Sequence, residues 1–330
     1  MQSKPTDSKR LLLLSENDVR SALNMPTAIA VMEEAFREFD EGQIDNVPRQ
    51  RARADGIVLH QMSAACEYLN VVGWKTYTTT RHGAQFHVAI YEQESGSPLA
   101  LIEADWLGRM RTGAVTGLAV RFLTDRDADR VGLLGCGRQA ATQLAAITAV
   151  RAIDTAYVYC RDPERRQAFA DAMTTELQTN VIAVDSAEAA VKNLPIVVSA
   201  TSSRQPVLED AWVADRALLC AVGSNWPHKQ EISEETVLRC ELVICDDVDA
   251  CRNEAGELIA AAEHGWQWES ARGLAQVVSG KLDVARSSDY PHGPRLFKSV
   301  GLAMEDVALA VEVVRHWSDE KEAALSKNEK

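Results

Sequence analysis

The stretch that decides the fold is Val131-Gly-Leu-Leu-Gly135-Cys-Gly137-Arg-Gln-Ala140. Its first residues are apolar or small, as in a buried strand, and an alanine-rich segment that can form a helix follows directly. In this context the spacing G-x-G-x-x-A is a dinucleotide fingerprint: Gly135 permits the tight turn, Gly137 lets the backbone approach the pyrophosphate, and Ala140 takes the third position. The helix N-terminus would present N–H groups to the phosphates. The segment therefore predicts a nicotinamide dinucleotide site.

Strands and helices alternate downstream of this turn. The sequence favours helices at Ala140–Val150, Glu164–Leu177 and, more briefly, Ala187–Val191, separated by apolar runs of strand length. The predicted strands are Val131–Gly135, Thr155–Cys160, Val181–Asp185, Ile196–Ala200, Ala217–Val222 and Leu242–Asp246. This alternation is typical of a parallel sheet covered by helices. It favours a dinucleotide site over the alternative that the motif is only a Gly-containing βα turn.

The end of the strand at Thr155–Cys160 bears on the choice of cofactor. In a dinucleotide-binding fold the residue that contacts the 2′ position of the adenosine ribose lies there, and it is acidic for NAD, whereas an arginine accommodates the phosphate of NADP. This sequence has no Asp or Glu before Arg161, and Arg165 and Arg166 follow. We therefore expect NADP(H) to be favoured, with NAD(H) possible. The alternative is that Arg161 only caps a surface loop.

The first 125 residues are organised differently. Ser15–Asp40 is a helical region that begins after an N-cap at Ser15. Between Ile57 and Ala104, short runs of alternating polarity predict a mostly antiparallel sheet, and Leu107–Leu123 then predicts a helix before a charged linker. Near the C-terminus, Val300–Trp317 has the periodicity of an amphipathic helix. The polar residues 1–10 and 318–330 are expected to fray.

The composition excludes several classes of function. Asp and Glu (48) outnumber Lys and Arg (35), and the net charge of −13 argues against nucleic acid or an anionic membrane as a partner. No run of about 20 apolar residues could span a bilayer, and no secretory signal is recognisable. The seven cysteines lack any C-x-x-C spacing, so we expect reduced thiols, no metal site and a cytoplasmic location. A chain of 330 residues is expected to form two domains.

Three segments before residue 125 carry cations in this otherwise acidic chain. They are Pro48-Arg49-Gln-Arg51, Trp74-Lys75-Thr76 and Gly108-Arg109-Met-Arg111-Thr112-Gly113-Ala114. Arginines with paired donors commonly clamp a substrate carboxylate, and a lysine between apolar neighbours is suited to proton transfer to an amine or imine. Taken alone, each is more simply explained as a surface charge, because Lys and Arg are commonly exposed.

Read together with the glycine-rich turn, these segments resemble a known family. The further matching segments are Ala200-Thr201-Ser202, Gly223-Ser224-Asn225-Trp-Pro227 and Lys298-Ser299-Val-Gly301-Leu-Ala303-Met-Glu-Asp306. In this order and spacing the chain resembles the ornithine cyclodeaminase/mu-crystallin family, from about Leu12 to Arg315. The combination of the Arg111-Thr112-Gly113-Ala114 segment with the Gly-Cys-Gly-Arg-Gln-Ala turn is the most specific part of the resemblance.

The resemblance implies a homodimer in which a Rossmann-type α/β domain (residues 126–296) is inserted into a mixed α+β substrate and dimerisation domain (residues 1–125 and 297–330). It suggests Arg49, or Arg51 if the register differs, and Arg111 as carboxylate binders, and Lys75 as the residue that exchanges protons at the substrate nitrogen. The resemblance also implies contacts to the pyrophosphate, ribose or nicotinamide of the cofactor. The residues implied are Thr112, Gly135, Gly137, Arg138, Gln139, Ala140, Thr201, Ser299 and Gly301.

Asn225 departs from the family pattern. Cyclodeaminases and alanine dehydrogenases of the family carry an Asp in this motif as general base or amine anchor, whereas an amide cannot accept a proton at neutral pH. Asp246, Asp247 or His228 could substitute, although each is more simply a strand-end or loop residue. Imine reduction needs less: a clamped carboxylate, a hydride from the cofactor and one proton on the nitrogen.

The sequence thus predicts an enzyme, an NAD(P)H-dependent reductase of a small α-imino acid such as a pyrroline- or piperideine-carboxylate. Two alternatives stay open. One is an ammonia-releasing cyclodeaminase of ornithine or a similar diamino acid that recycles NAD. The other is a cofactor-binding, crystallin-like protein without turnover.

Overall fold

A computed structural model describes residues 11–284 and 293–328. The predicted fraying of residues 1–10, 329 and 330 lies outside this description. The strands are β1 (Leu12–Leu14), β2 (Ile44–Ala54), β3 (Ile57–Cys66), β4 (Val71–Thr80), β5 (Gly83–Glu92), β6 (Pro98–Glu103), β7 (Arg130–Leu134), β8 (Thr155–Tyr159), β9 (Asn180–Ala183), β10 (Ile196–Ser199), β11 (Leu218–Ala221), β12 (Leu242–Cys245), β13 (Arg272–Gly273) and β14 (Arg295–Lys298). The helices are α1 (Glu16–Ala22), α2 (Met25–Asp40), α3 (Asp105–Leu123), α4 (Ala140–Val150), α5 (Pro163–Leu177), α6 (Glu234–Arg239), α7 (Val248–Glu254), α8 (Gly256–Glu263), α9 (Leu274–Val278) and α10 (Ala303–Asn328).

The chain divides into two compact units. The first comprises residues 1–24, 41–108 and 302–330, and the second comprises residues 25–40 and 109–301. The domain boundaries near residues 125 and 296 stay a prediction. Leu296 lies inside β14, a strand of the second unit's sheet. Helix α2 is grouped with the second unit because it packs on α4 and α9, burying Ile29, Met32 and Phe36 at helical spacing.

The first unit is built on a six-stranded sheet in the order β1-β6-β5-β4-β3-β2. Strands β2 to β6 are antiparallel, as the alternating polarity predicted, and β1 adds in parallel to β6. Side chains alternate between the two faces of a strand, and α10 covers one face by packing on β2 to β5. On this face Gly73 leaves no room for a side chain, because a Cβ would lie 2.7 Å from the Ala89 carbonyl oxygen.

Helix α10 differs at both ends from the predicted Val300–Trp317. It begins at Ala303, because Gly301 has a φ of +81°, which is not helical. It continues to Asn328, so the prediction that the segment after Trp317 frays was wrong for residues 318–328. The Glu, Lys and Ala residues of this segment are good helix formers, so its charge does not prevent a helix.

The second unit is built on an eight-stranded parallel sheet in the order β13-β12-β14-β11-β10-β7-β8-β9. The predicted α/β class with a Rossmann-type sheet is confirmed, and β10, β11, β12 and β14 are buried along their whole length, as strands covered on both faces should be. The strand order reverses between β7 and β10, which is where open α/β sheets bind ligands. The short helix predicted at Ala187–Val191 is instead a series of turns. They are held by hydrogen bonds between residues three apart, such as the bond from the Ala190 N–H to the Ala187 carbonyl.

Candidate active site

A cavity of about 710 Å³ lies at the carboxyl ends of the parallel strands in the second unit. Its walls come from the turns and loops that follow β7, β8, β10, β11 and β14. The predicted site residues that line it are Arg111, Thr112, Gly135, Gly137, Arg138, Gln139, Arg161, Thr201, Asn225, Ser299 and Gly301. Segments separated by up to 190 residues in sequence are therefore brought together here, and the volume falls in the range of small-molecule and cofactor sites.

The glycine-rich turn between β7 and α4 has the geometry of a phosphate cradle. Gly135 has a φ of +105° and donates its N–H to the Tyr159 carbonyl at 2.8 Å, and a Cβ on it would lie 2.5 Å from the Ala200 carbonyl oxygen. Only glycine fits this position. A Cβ on Gly137 would meet nothing closer than 4.0 Å, so the turn leaves open space for a ligand. Ala140 is fully buried at the start of α4, whose N-terminus carries a partial positive charge.

The side of the cavity next to β8 is rich in guanidinium groups. Arg161 is exposed two residues after the end of β8, and Arg165 donates from Nε to the Cys136 carbonyl at 3.0 Å. Asp162, which was not predicted as a site residue, also lines the cavity. Its carboxylate caps α5 by accepting the Arg165 N–H at 3.1 Å. Asp162 thus has a structural role, although it lies near the position of the acid that binds the ribose of NAD in such folds.

Two buried carboxylates, Asp246 and Glu231, hold the opposite wall, and Glu231 was not predicted as a site residue. Asp246 Oδ2 accepts the N–H groups of Val300 and Gly301, both at 2.7 Å, and the Ser299 hydroxyl at 2.9 Å. Glu231 in the same way joins the loops after β10 and β11. Of the substitute bases considered for Asn225, Asp246 is thus committed to the backbone, as is Asp247, which accepts the Ala250 N–H at 2.6 Å.

Arg111 lies against the loop after β14. It is 8% exposed, and its guanidinium packs so closely on Gly301 that a Cβ there would be 2.5 Å from Nη1. The Gly301 N–H is held by Asp246, so the loop has little freedom to retreat. This arrangement fixes the arginine at the cavity wall, where its paired donors can meet a carboxylate.

In the first unit, Lys75 forms a buried ion pair with Asp306. The Nζ–Oδ1 distance is 2.5 Å, and the two side chains are 3% and 0% exposed. The lysine also lies 5.6 Å from the centre of the Phe86 ring, and Gly108 approaches so closely that a Cβ there would be 3.1 Å from Nζ. Asp306 is 231 residues away in sequence, which is why its pairing with Lys75 was not predicted.

His60 on β3 lies beside the arginines of β2. It is opposite Arg51 in the register of the two strands, and its ring stacks on that of Tyr77 with centres 4.2 Å apart. Burial, reinforced by the charges of Arg51, Arg49 and Arg53, lowers its pKa to about 4. The register between β2 and β3 shifts between Val47 and Gln50, next to Arg49. Arg49 and Arg51 therefore both contribute to one positive region, and the choice between them as carboxylate binder stays open.

The fold and the cavity define a dinucleotide-binding α/β protein with a Rossmann-type unit and a second, mixed unit. Residues 9–321 match the ornithine cyclodeaminase/mu-crystallin family, and the chain belongs to this family, which confirms the resemblance found in the sequence. Relatives of this chain are named as reductases, as dehydrogenases and, for one solved structure, as a probable ornithine cyclodeaminase.

Three relatives illustrate the similarity. The Delta(1)-pyrroline-2-carboxylate reductase of Bacillus cereus is 27% identical over 314 residues, which cover 91% of this chain and 94% of the relative. The NAD(P)H-dependent anabolic L-arginine dehydrogenase of Pseudomonas aeruginosa is 32% identical over 225 residues, 67% of this chain and 68% of the relative. The structure of Thermococcus litoralis Delta(1)-pyrroline-2-carboxylate reductase in complex with NADH and L-proline has a TM-score of 0.88 and 28% identity, covering 94% of this chain and 98% of the other.

None of the helices within residues 11–284 and 293–328 combines the length and the apolar character that a membrane span requires. Within the same part of the chain, no three His, Cys, Asp or Glu side chains are grouped so that they could hold a metal ion.

Proposed function

We propose that the protein is an NAD(P)H-dependent reductase of a small α-imino acid, such as pyrroline-2-carboxylate or piperideine-2-carboxylate. The observation that carries the proposal is the pairing of Lys75 with Asp306 in a family member that has Asn225 where a cyclodeaminase has its base. The ion pair keeps Lys75 as an ammonium group. Such a group can give a proton to an imine nitrogen, whereas an amide cannot take one from an amine.

The cavity residues fit a nicotinamide dinucleotide. Gly135 leaves no room for a side chain, Gly137 leaves open space, and the start of α4 supplies N–H groups, which together suit a pyrophosphate. Arg138, Gln139 and Ala140 would complete this region. Residues on the remaining walls would surround the ribose and nicotinamide; they are Thr112, Thr201, Ser299 and Gly301.

The chain's own residues would prepare the substrate. When bound, the reduced nicotinamide supplies a hydride to the imine carbon. Arg111, with Arg49 or Arg51, would hold the substrate carboxylate through charge-assisted hydrogen bonds, and Asn225 would accept a hydrogen bond from the amine nitrogen of the product. Lys75 would donate one proton to that nitrogen, so that the C=N bond becomes CH–NH and the atoms balance.

A panel of cyclic imines and amino acids, assayed with NADPH and NADH, tests the reaction. Nicotinamide absorbance and ammonia are followed together. We expect imine-dependent oxidation of the reduced cofactor without ammonia release, and loss of at least about 100-fold in kcat for Lys75→Ala, within the range of general acid catalysis. Ammonia from ornithine without net change in the nicotinamide would instead identify a cyclodeaminase, and binding of cofactor without any turnover would identify a crystallin-like protein.

For the cofactor we propose a preference for NADP(H). Arg161 is the support, because it lines the cavity two residues after the end of β8, and Asp162 is already engaged as the cap of α5. Arg161→Ala should raise the Kd for NADPH by about tenfold, the value of one charge-assisted hydrogen bond, and leave the Kd for NADH within about twofold. Equal affinity of the unaltered protein for the two cofactors would remove the preference.

We further propose a cytoplasmic homodimer. The face of the first unit's sheet opposite α10 exposes the apolar side chains of Leu59 and Val72, and Val47 is exposed on the edge strand β2. Apolar side chains exposed on a sheet face are the support for this interface. All seven cysteines are thiols, six of them buried, which fits a reducing compartment.

A further inference from the structure

Glu231 is a fully buried acid in the loop between β11 and α6. Its Oε1 accepts the Ser199 hydroxyl, the Thr201 hydroxyl and the Thr201 N–H, each at 2.7 Å. Its Oε2 accepts the Gly223 N–H at 2.6 Å. Ser199 ends β10, and Gly223 follows the end of β11 by two residues. One carboxylate therefore ties together two loops that arise from neighbouring strands.

Close packing makes this connection rigid. A Cβ on Gly223 would lie 2.5 Å from Glu231 Oε1, so the loop after β11 sits directly on the carboxylate. Lys298, also fully buried, donates to the Ser224 carbonyl at 2.8 Å and to Glu257 at 3.0 Å. The loop after β11 is thereby held from two sides by buried charged groups.

The hydrogen-bond pattern suits the carboxylate form of Glu231. Two N–H groups and two hydroxyl groups surround its two oxygens, which matches the acceptor capacity of a carboxylate. Burial raises the pKa of Glu231, while the charge of Lys298 and the bonds from Ser199 and Thr201 oppose the rise. Burial acts to lower the pKa of Lys298, but the carboxylates of Glu257 and Glu231 raise it overall.

The position of these loops assigns them to one half of the cofactor. In a sheet of this kind a dinucleotide lies across the point where the strand order reverses, here between β7 and β10. The adenosine ribose belongs at the end of β8, on one side of the glycine-rich turn. The loops after β10 and β11 lie on the other side of that turn and line the same cavity, where the nicotinamide half must extend.

We infer that Glu231 is a positioning residue for the nicotinamide half of the dinucleotide, acting through Thr201 and Gly223 without touching the cofactor. The inference rests on the proposed binding of a nicotinamide dinucleotide in this cavity. A buried acid would thus set the spacing of the two loops that hold the nicotinamide ring.

Glu231→Gln tests this inference. Glutamine has the same size but carries an NH2 group, which would face one of the four donors as a second donor. We expect the Kd for NADPH to rise at least tenfold, while the Kd for 2′,5′-ADP, which represents the adenosine half only, stays within twofold. Both constants are measured by titration calorimetry on the full chain. Glu188→Gln, an exposed acid paired only with Lys192, is the matched control and should leave both constants unchanged.

The outcomes separate the possible roles. A parallel loss of affinity for NADPH and 2′,5′-ADP would show a general structural role and overturn the inference, as would an unchanged Kd for NADPH. If Glu231→Gln does not fold, Ser199→Ala removes one donor to the same carboxylate and should raise only the NADPH constant, by about threefold; no change, or an equal change in both constants, would again overturn it. Failure of the unaltered protein to bind NADPH, NADH and 2′,5′-ADP would contradict the proposed function itself.

Discussion

Gly301→Ala is expected to separate backbone strain from displacement of Arg111. Gly301 has a φ of +81°, and alanine in this left-handed region costs about 1–2 kcal/mol of stability. In addition, the new Cβ would lie 2.5 Å from Arg111 Nη1 and 2.9 Å from Nη2. The backbone is held by the bond from the Gly301 N–H to Asp246 Oδ2 at 2.7 Å, so the guanidinium must move instead.

Movement of the guanidinium by about 1 Å should lower kcat/KM for the imino acid by about 100-fold, since such a misplacement of a substrate-binding group costs about this much. The factor corresponds to about 2.7 kcal/mol of transition-state stabilisation. Gly280→Ala is the matched control, because Gly280 has a φ of +79° and a Cβ there would meet nothing within 4 Å. Both variants should lose at least about 1–2 kcal/mol of stability in urea unfolding, but only Gly301→Ala should lose activity.

Steady-state rates across imine concentrations, with saturating NADPH, give the comparison. If the two variants have the same kcat/KM, the contact between Gly301 and Arg111 does not position a substrate-binding group. If Gly280→Ala is as inactive as Gly301→Ala, the loss reflects the fold and the reasoning about Arg111 fails.

Three further changes probe other parts of the structure. The pKa of His60 in the folded protein is about 4, so unfolding takes up a proton below pH 6.5. The unaltered protein should therefore lose up to about 3 kcal/mol of stability between pH 6.5 and 4. His60→Gln should flatten this dependence in urea titrations, and an unchanged slope would contradict the prediction. Asp306→Asn removes the carboxylate paired with Lys75 and should cost about 3–5 kcal/mol of stability and at least about tenfold in kcat; an active, stable variant would show that the pair is dispensable. Val72→Asp should shift sedimentation from dimer toward monomer, whereas Leu238→Asp, on an exposed apolar residue of the second unit, should not.

The parts of the site that the sequence predicted are those encoded locally. The Gly135 turn, the strand before it and α4 form one short segment, whose residue spacing records the backbone geometry directly. Arg161 follows β8 at a fixed place in such a fold, so its location at the cavity was also predictable. Local patterns likewise gave α1 and α2, because a capping residue and helical spacing of apolar side chains need no information from distant residues.

Features that depend on distant partners were not predictable in the same way. The strand β14 (Arg295–Lys298), which lies between β11 and β12, was not predicted. Asp306 lies among apolar residues of a helix, and nothing near it indicates Lys75 as its partner. Glu231 and Asp246 look like ordinary loop and strand-end acids. Their partners come from separate loops, which meet only because the carboxyl ends of parallel strands share one edge of the sheet.

These buried acids also explain why the phosphates should bind at one turn and not at the others. Several loops at this edge begin with N–H groups that could bind an anion. Glu231 takes those of Thr201 and Gly223, and Asp246 takes those of Val300 and Gly301. The pyrophosphate of a dinucleotide would meet negative charge at these loops. At Gly135–Ala140 it would instead meet the positive end of α4. In the proposed complex the two acids would therefore favour one orientation of the cofactor, with its pyrophosphate at the glycine-rich turn and its nicotinamide over the loops that the acids hold.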